Sequence, residues 1–194
     1  MGAVLENEPQ RLLVNLYQIN VKIYQRYIRG IKMSLLSKHE STVWQEFHKG
    51  KTTSEIADEN PEWTPAYTSR VLNRAREKIS NALQEHAKSH RLDVESLQDY
   101  KGILIGFDYQ ANAQVYIVYT EAEGIIVWYR HESYAGKLCP ECPKEAECRE
   151  TLNKVMSEYS IELRPDEETL YMTRQSTAIF NKLAAKEIPR YKRK

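Results

Sequence analysis

The sequence predicts an α+β protein: an N-terminal all-helical helix-turn-helix domain followed by a small β-meander domain covered by two helices. Three observations predict it. Residues 37–86 carry three successive helix-start signatures, each followed by apolar positions at helical spacing. Residues 102–130 carry three runs rich in β-branched and aromatic side chains, joined by connections of three or four residues. From residue 145 onward helical spacing returns. At 194 residues, 41% hydrophobic and 28% charged, the chain is long and apolar enough to bury a core.

The first element, within a segment spanning residues 1–36, is a basic amphipathic helix over residues 9–34. Leu13, Leu16, Tyr17, Tyr24, Tyr27, Ile28, Ile31 and Leu35 fall on one face, with Lys22, Arg26 and Arg29 nearly opposite. Val14, Ile19, Val21, Ile23 and Gly30 lower its intrinsic propensity. Its apolar face is suited either to packing on the following helices or to pairing with a second copy of the chain.

Next comes the helical domain, residues 37–90. Ser37 and Glu40 form a capping box that satisfies two orphan backbone donors reciprocally. Val43, Trp44 and Phe47 then make an apolar stripe, and Gly50 follows the helix where Gly is favoured. Thr52 and Glu55 form a second box, opening a short helix with Ile56 and Ala57; small Ala57 lets its neighbour approach closely. Residues 58–63 break that helix. Thr64 caps the third helix and Pro65 occupies its first position. Tyr67, Thr68, Val71, Ala75, Ile79, Ala82 and Leu83 mark its inner face, and the helix is expected to run on toward Lys88.

The other face of this third helix is polar and basic. Between residues 65 and 91 there are six Lys/Arg against two Glu. A basic, polar-faced helix after a tight helical pair is what a DNA major groove accepts. The spacing puts Thr64, Ala66, Tyr67, Ser69, Arg70 and Asn73 nearest base edges, with Arg74, Arg76 and Lys78 nearer phosphates. The stretch LSKHESTVWQEFHKGKTTSEIADENPEWTPAYTSRVLNRAREKISNAL resembles the helix-turn-helix of sigma-factor region four, of LuxR-type regulators and of archaeal Tfx-type DNA-binding proteins. The resemblance rests on the leading Leu-Ser, the Gly after the first helix, Ser-Glu-Ile-Ala in the second, and a Thr-initiated third helix ending in Arg-Glu-Lys-Ile. It covers about fifty residues, with one extra residue between Ala57 and Thr64 and Pro61 where a Gly is common. It implies double-stranded DNA as partner and a homodimer as the usual assembly.

Residues 89–101 are polar and read as a connection between domains. Beyond them, residues 100–188 form the second domain. Runs 102–109, 114–120 and 124–130 are apolar at nearly every position, which calls for cover on both sheet faces. Helices over 145–159 and 166–186 supply it, the latter carrying Leu170, Ile179, Phe180 and Leu183. The basic tail, residues 189–194, reads as a solvated end or a phosphate-contacting arm.

All three cysteines fall within ten residues, as Cys139-Pro-Glu-Cys142 and then Cys148. The C-x-x-C pair has the spacing of a zinc knuckle, Cys148 adds a third sulfur, and His131 is the nearest imidazole for a fourth ligand. The same three thiols suit an iron–sulfur cluster with one iron open, a C-x-x-C redox disulfide beside a free thiol, or three thiols without a ligand. The surrounding Glu132, Glu141, Glu145, Glu147 and Glu150 oppose thiolate formation unless a cation is present.

The net charge of +1 hides a split. Residues 9–39 hold six Lys/Arg and no acid, whereas residues 121–170 hold twelve Asp/Glu against six Lys/Arg. The first half is the one suited to phosphate. No secretory or membrane-spanning pattern is visible, which predicts a soluble, cytoplasmic protein. Nor is there a Gly-rich phosphate loop, an H-E-x-x-H, or a G-x-S-x-G motif, so no enzyme is expected. The expected function is sequence-specific transcription regulation, with the C-terminal domain serving dimerisation and metal or redox sensing. The alternative is a thiol-redox or iron–sulfur protein whose helical unit contacts polymerase.

Overall fold

The helical caps determine where the first three elements begin. In the computed structural model, which describes residues 34–94, 102–134 and 136–187, α1 spans Lys38–His48, α2 Thr53–Asp58 and α3 Pro65–Ser89. Both capping boxes form: Ser37 N–H donates to Glu40 at 2.8 Å, and Thr52 N–H donates to Glu55 at 2.7 Å. Thr64 Oγ1 accepts from Tyr67 N–H at 3.2 Å. Gly50, at φ +98°, supplies the left-handed residue that lets the chain leave α1. The expected N-terminal helix (residues 9–34), most of the connection before residue 102, and the tail lie outside the described residues.

Four strands follow in the order β1 (Asp93–Val94), β2 (Ile103–Asp108), β3 (Ala113–Thr120) and β4 (Gly124–Tyr129), each antiparallel to its neighbour. The three long strands match the expected meander. The β2–β3 turn is held by Asp108 Oδ1, which accepts from the amides of Gln110 and Ala111. In the β3–β4 turn the Thr120 hydroxyl accepts from Glu123 N–H, and Gly124 takes φ +76°. The short β1 falls in a segment read as pure connection. It pairs with β2 at Gly106, where a Cβ would stand 2.8 Å from the Asp93 carbonyl oxygen.

Helices cover both faces of the sheet. Tyr116 of β3 and Trp128 of β4 sit opposite one another and pack on Phe180. Phe180 belongs to α6 (Met172–Glu187). Residues one step along β3 point to the other face, where Tyr119 meets Trp44 of α1, and α3 packs on β2 and β3. The cover therefore comes from one C-terminal helix and from the helix-turn-helix itself. Helix α4 (Glu145–Tyr159) closes the core between α1, β3 and α6.

The described residues from Leu35 to Glu187 form one unit that shares a hydrophobic core running from Leu36 to Ala184. Packing continues across the connection: α3 packs on β2 and β3, and Trp44 of α1 meets Tyr119 of β3. One correction concerns the helix expected over 166–186. It is two helices, α5 (Pro165–Glu168) and α6, interrupted at residues 169–171. The Thr169 hydroxyl donates to the Asp166 carbonyl and the Gln175 amide to the Glu168 carbonyl, so side chains take acceptors a continuous helix would need. Leu170, expected in the core, is exposed in this break, whereas Ile179, Phe180 and Leu183 are buried. Among the described residues no helix is long and apolar enough to cross a membrane.

Candidate nucleic-acid interface and cysteine cavity

Helix α3 buries Thr68, Val71, Leu72, Ala75, Ile79, Leu83 and Ala87. That stripe leaves Ala66, Arg70, Asn73, Arg74 and Glu77 exposed, at spacings of three and four that form one continuous face. Arg70, Asn73 and Arg74 have no ion-pair or hydrogen-bond partner among the described residues. Together with the acidic Glu77 they are the polar side chains that this face presents to solvent.

The remaining expected contact residues are less exposed or engaged in contacts of their own. Thr64 uses its hydroxyl as the α3 cap. Tyr67 is half-buried and shares a 2.7 Å hydrogen bond with His39 Nδ1, beside Trp63. Ser69 is partly buried. Arg76 turns inward, its guanidinium stacked 4.6 Å from the Phe47 ring centre. Lys78 is ion-paired at 2.7 Å with Glu40, whose side chain is 4% exposed. Burial would raise the Glu40 carboxyl, but Lys78 and the Ser37 hydrogen bonds outweigh it and hold the group below the usual glutamate value. Arg76 and Lys78 thus serve the α1–α3 interface, a use that a helical wheel of α3 alone does not reveal.

The cysteines sit on a tight turn and on the helix that follows it. A 3-10 turn, Cys139–Glu141, closes with Cys142 N–H donating to the Cys139 carbonyl at 3.1 Å. Cys148 lies in the first turn of α4, and the three cysteines stand as free thiols. Cys139, Cys142, Cys148 and His131 line one cavity together with Trp128, Glu145, Met172 and Thr173. Its volume of ≈ 20 Å³ holds about one water-sized group. Burial first, then Cys142, Glu147 and Cys139, push the Cys148 thiol up to about 11. Two contacts brace the walls: Lys144 stacks 4.5 Å from the Tyr134 ring centre, and Arg174 of α6 pairs with Glu132 at 3.2 Å. As the side chains stand, no three His, Cys, Asp or Glu groups among the described residues are arranged to hold a metal ion.

A third polar group gave no signal in the sequence. At the junction of α1, β3 and α4, both oxygens of Glu158 accept from Glu121 N–H, at 2.9 and 2.8 Å. The Tyr159 hydroxyl donates to the Tyr119 carbonyl at 2.6 Å. The Tyr159 ring stands edge-on to buried His48 and to Trp44. Burial pushes the Glu158 carboxyl up to about 7, and the Glu121 carboxyl adds to the rise. The Glu121 amide, the Trp44 indole and His48 oppose it. The Trp44 N–H favours the anion only from nearby, since it makes no hydrogen bond of good geometry.

Comparison of the chain with protein-family models, curated proteins and solved structures finds no match.

Proposed function

We propose that this chain is a sequence-specific double-stranded DNA-binding regulator of transcription that lays the exposed face of α3 in the major groove. The observation that carries the reading is the row Ala66, Arg70, Asn73 and Arg74. It is solvent-facing, free of partners among the described residues, and mounted on a helix capped behind a tight helical pair. An α-helix fills a major groove about 12 Å wide. Arg70 suits guanine and Asn73 adenine, each bidentate pair contributing about 1–3 kcal/mol of discrimination. Arg74, further along the face, meets phosphate. Two such units on a homodimer would read two half-sites.

The test begins with selection of a preferred duplex from a random pool, followed by titrations of that duplex and a scrambled one at several salt concentrations. Arg70→Ala is expected to lose about 1–3 kcal/mol on the preferred duplex and little on the scrambled one. Arg74→Ala is expected to weaken both alike and to reduce the salt slope by about one. Failure of the full chain to bind any duplex at low salt would refute the reading.

A further inference from the structure

We propose that Cys139, Cys142, Cys148 and His131 Nε2 bind a single zinc-class divalent ion as a structural site of three sulfurs and one nitrogen. Three independent features of the cavity support this. First, three thiols and one imidazole line the same small space. That donor set is soft and selects zinc over magnesium or calcium. Second, His131 has its tautomer set. Its Nδ1 lies 2.9 Å from the Tyr129 carbonyl, which can only accept, so the proton sits on Nδ1 and the lone pair on Nε2. Metal-ligating histidines are oriented this way, by an acceptor that holds the N–H of the other ring nitrogen. Third, Trp128 lines the cavity with its indole N–H buried and without a hydrogen-bond partner among the described residues. A metal-bound thiolate is an acceptor for such a donor, whereas a neutral thiol is a poor one.

The donors are not drawn together in advance, so the ion has to pull the thiolates inward, which costs part of its affinity. Each thiol that coordinates loses its proton to solvent as its metal–sulfur bond forms, so loading releases up to three protons and weakens as pH falls.

The experiment uses the full chain and no DNA, so its outcome is independent of the regulatory reading. Metal analysis of the purified protein is expected to give about one zinc per chain. Exchange for Co²⁺ should give thiolate-to-cobalt charge transfer with intense tetrahedral d–d bands. His131→Ala should keep the charge transfer and shift the d–d bands; Cys142→Ser should weaken both. Iron with acid-labile sulfide would overturn the proposal in favour of a cluster. Three thiols equally reactive before and after chelation, with no metal and no cobalt spectrum, would overturn it in favour of unliganded cysteines. Cobalt bands unchanged in His131→Ala would remove the imidazole from the site. Because the wild-type cobalt spectrum and zinc content decide the main question, a variant that fails to fold does not blunt the test.

Discussion

Replacing Glu158 with Gln removes one charge from the junction of α1, β3 and α4 while keeping an oxygen to accept the Glu121 amide. The folded carboxyl titrates at about 7, against 4.5 as the ordinary value. Between those values the native state binds the proton more tightly than the unfolded chain. Its contribution to stability is therefore fully present below about 4.5 and is lost as pH rises through about 7. One pH unit of a full proton difference is worth about 1.4 kcal/mol, which sets a ceiling of about 3 kcal/mol. Glu158 keeps some solvent contact, and screening reduces the expected loss to roughly 1–2 kcal/mol. Urea denaturation at a series of pH values measures it. Wild type should lose this amount between about pH 5 and pH 8, and Glu158→Gln should lose less and be the more stable protein at the alkaline end. The difference between the two curves reports the carboxyl of Glu158 and what it is coupled to, and cancels groups elsewhere in the chain. Parallel curves, or a substituted protein less stable at alkaline pH, would refute the assignment of a part-buried carboxylate whose burial outweighs its hydrogen bonds.

Two further substitutions test the packing. Lys78→Met leaves the buried Glu40 carboxylate without its cation. It should lower unfolding free energy by about 1–3 kcal/mol, and duplex titrations of the folded variant should show the salt slope of wild type; a reduced slope would return Lys78 to the phosphate contacts. Gly102→Ala places a methyl group against the Tyr159 hydroxyl and the Trp44 ring. A loss of about 1–3 kcal/mol by thermal or urea unfolding is expected, and an unchanged midpoint would mean that the junction yields without cost.

What the sequence made legible was local. Ser37 with Glu40, Thr52 with Glu55, and Thr64 before Pro65 act over three residues, and each places a helix start. The β-branched runs reveal β2, β3 and β4 by composition. What it concealed depends on partners far away in the chain. Strand β1 is two residues long, and its backbone approaches Gly106 too closely for a Cβ there. Glu40 meets Lys78 across 38 positions, and Arg76 reaches Phe47 on another helix, partners that the placement of both cations near phosphates did not take into account. Glu158, with no distinctive neighbours in sequence, becomes unusual only when β3 and α1 close over it. The break at residues 169–171 came from side chains competing for backbone carbonyls, which apolar spacing does not register. The cysteines lie between these cases: their clustering was plain, whereas the Trp128 and Met172 walls and the seating of His131 required the fold.

The three tryptophans of the chain stand in three different settings. Trp63 lies beside His39 and Tyr67 at the start of α3, Trp44 sits in the junction with Glu158 and Tyr159, and Trp128 lines the cysteine cavity. The molecule thus carries a native fluorophore at each of the places where an event is expected. Variants that retain one indole at a time would turn its emission into separate channels for duplex docking, proton uptake and occupation of the cavity, with no label attached.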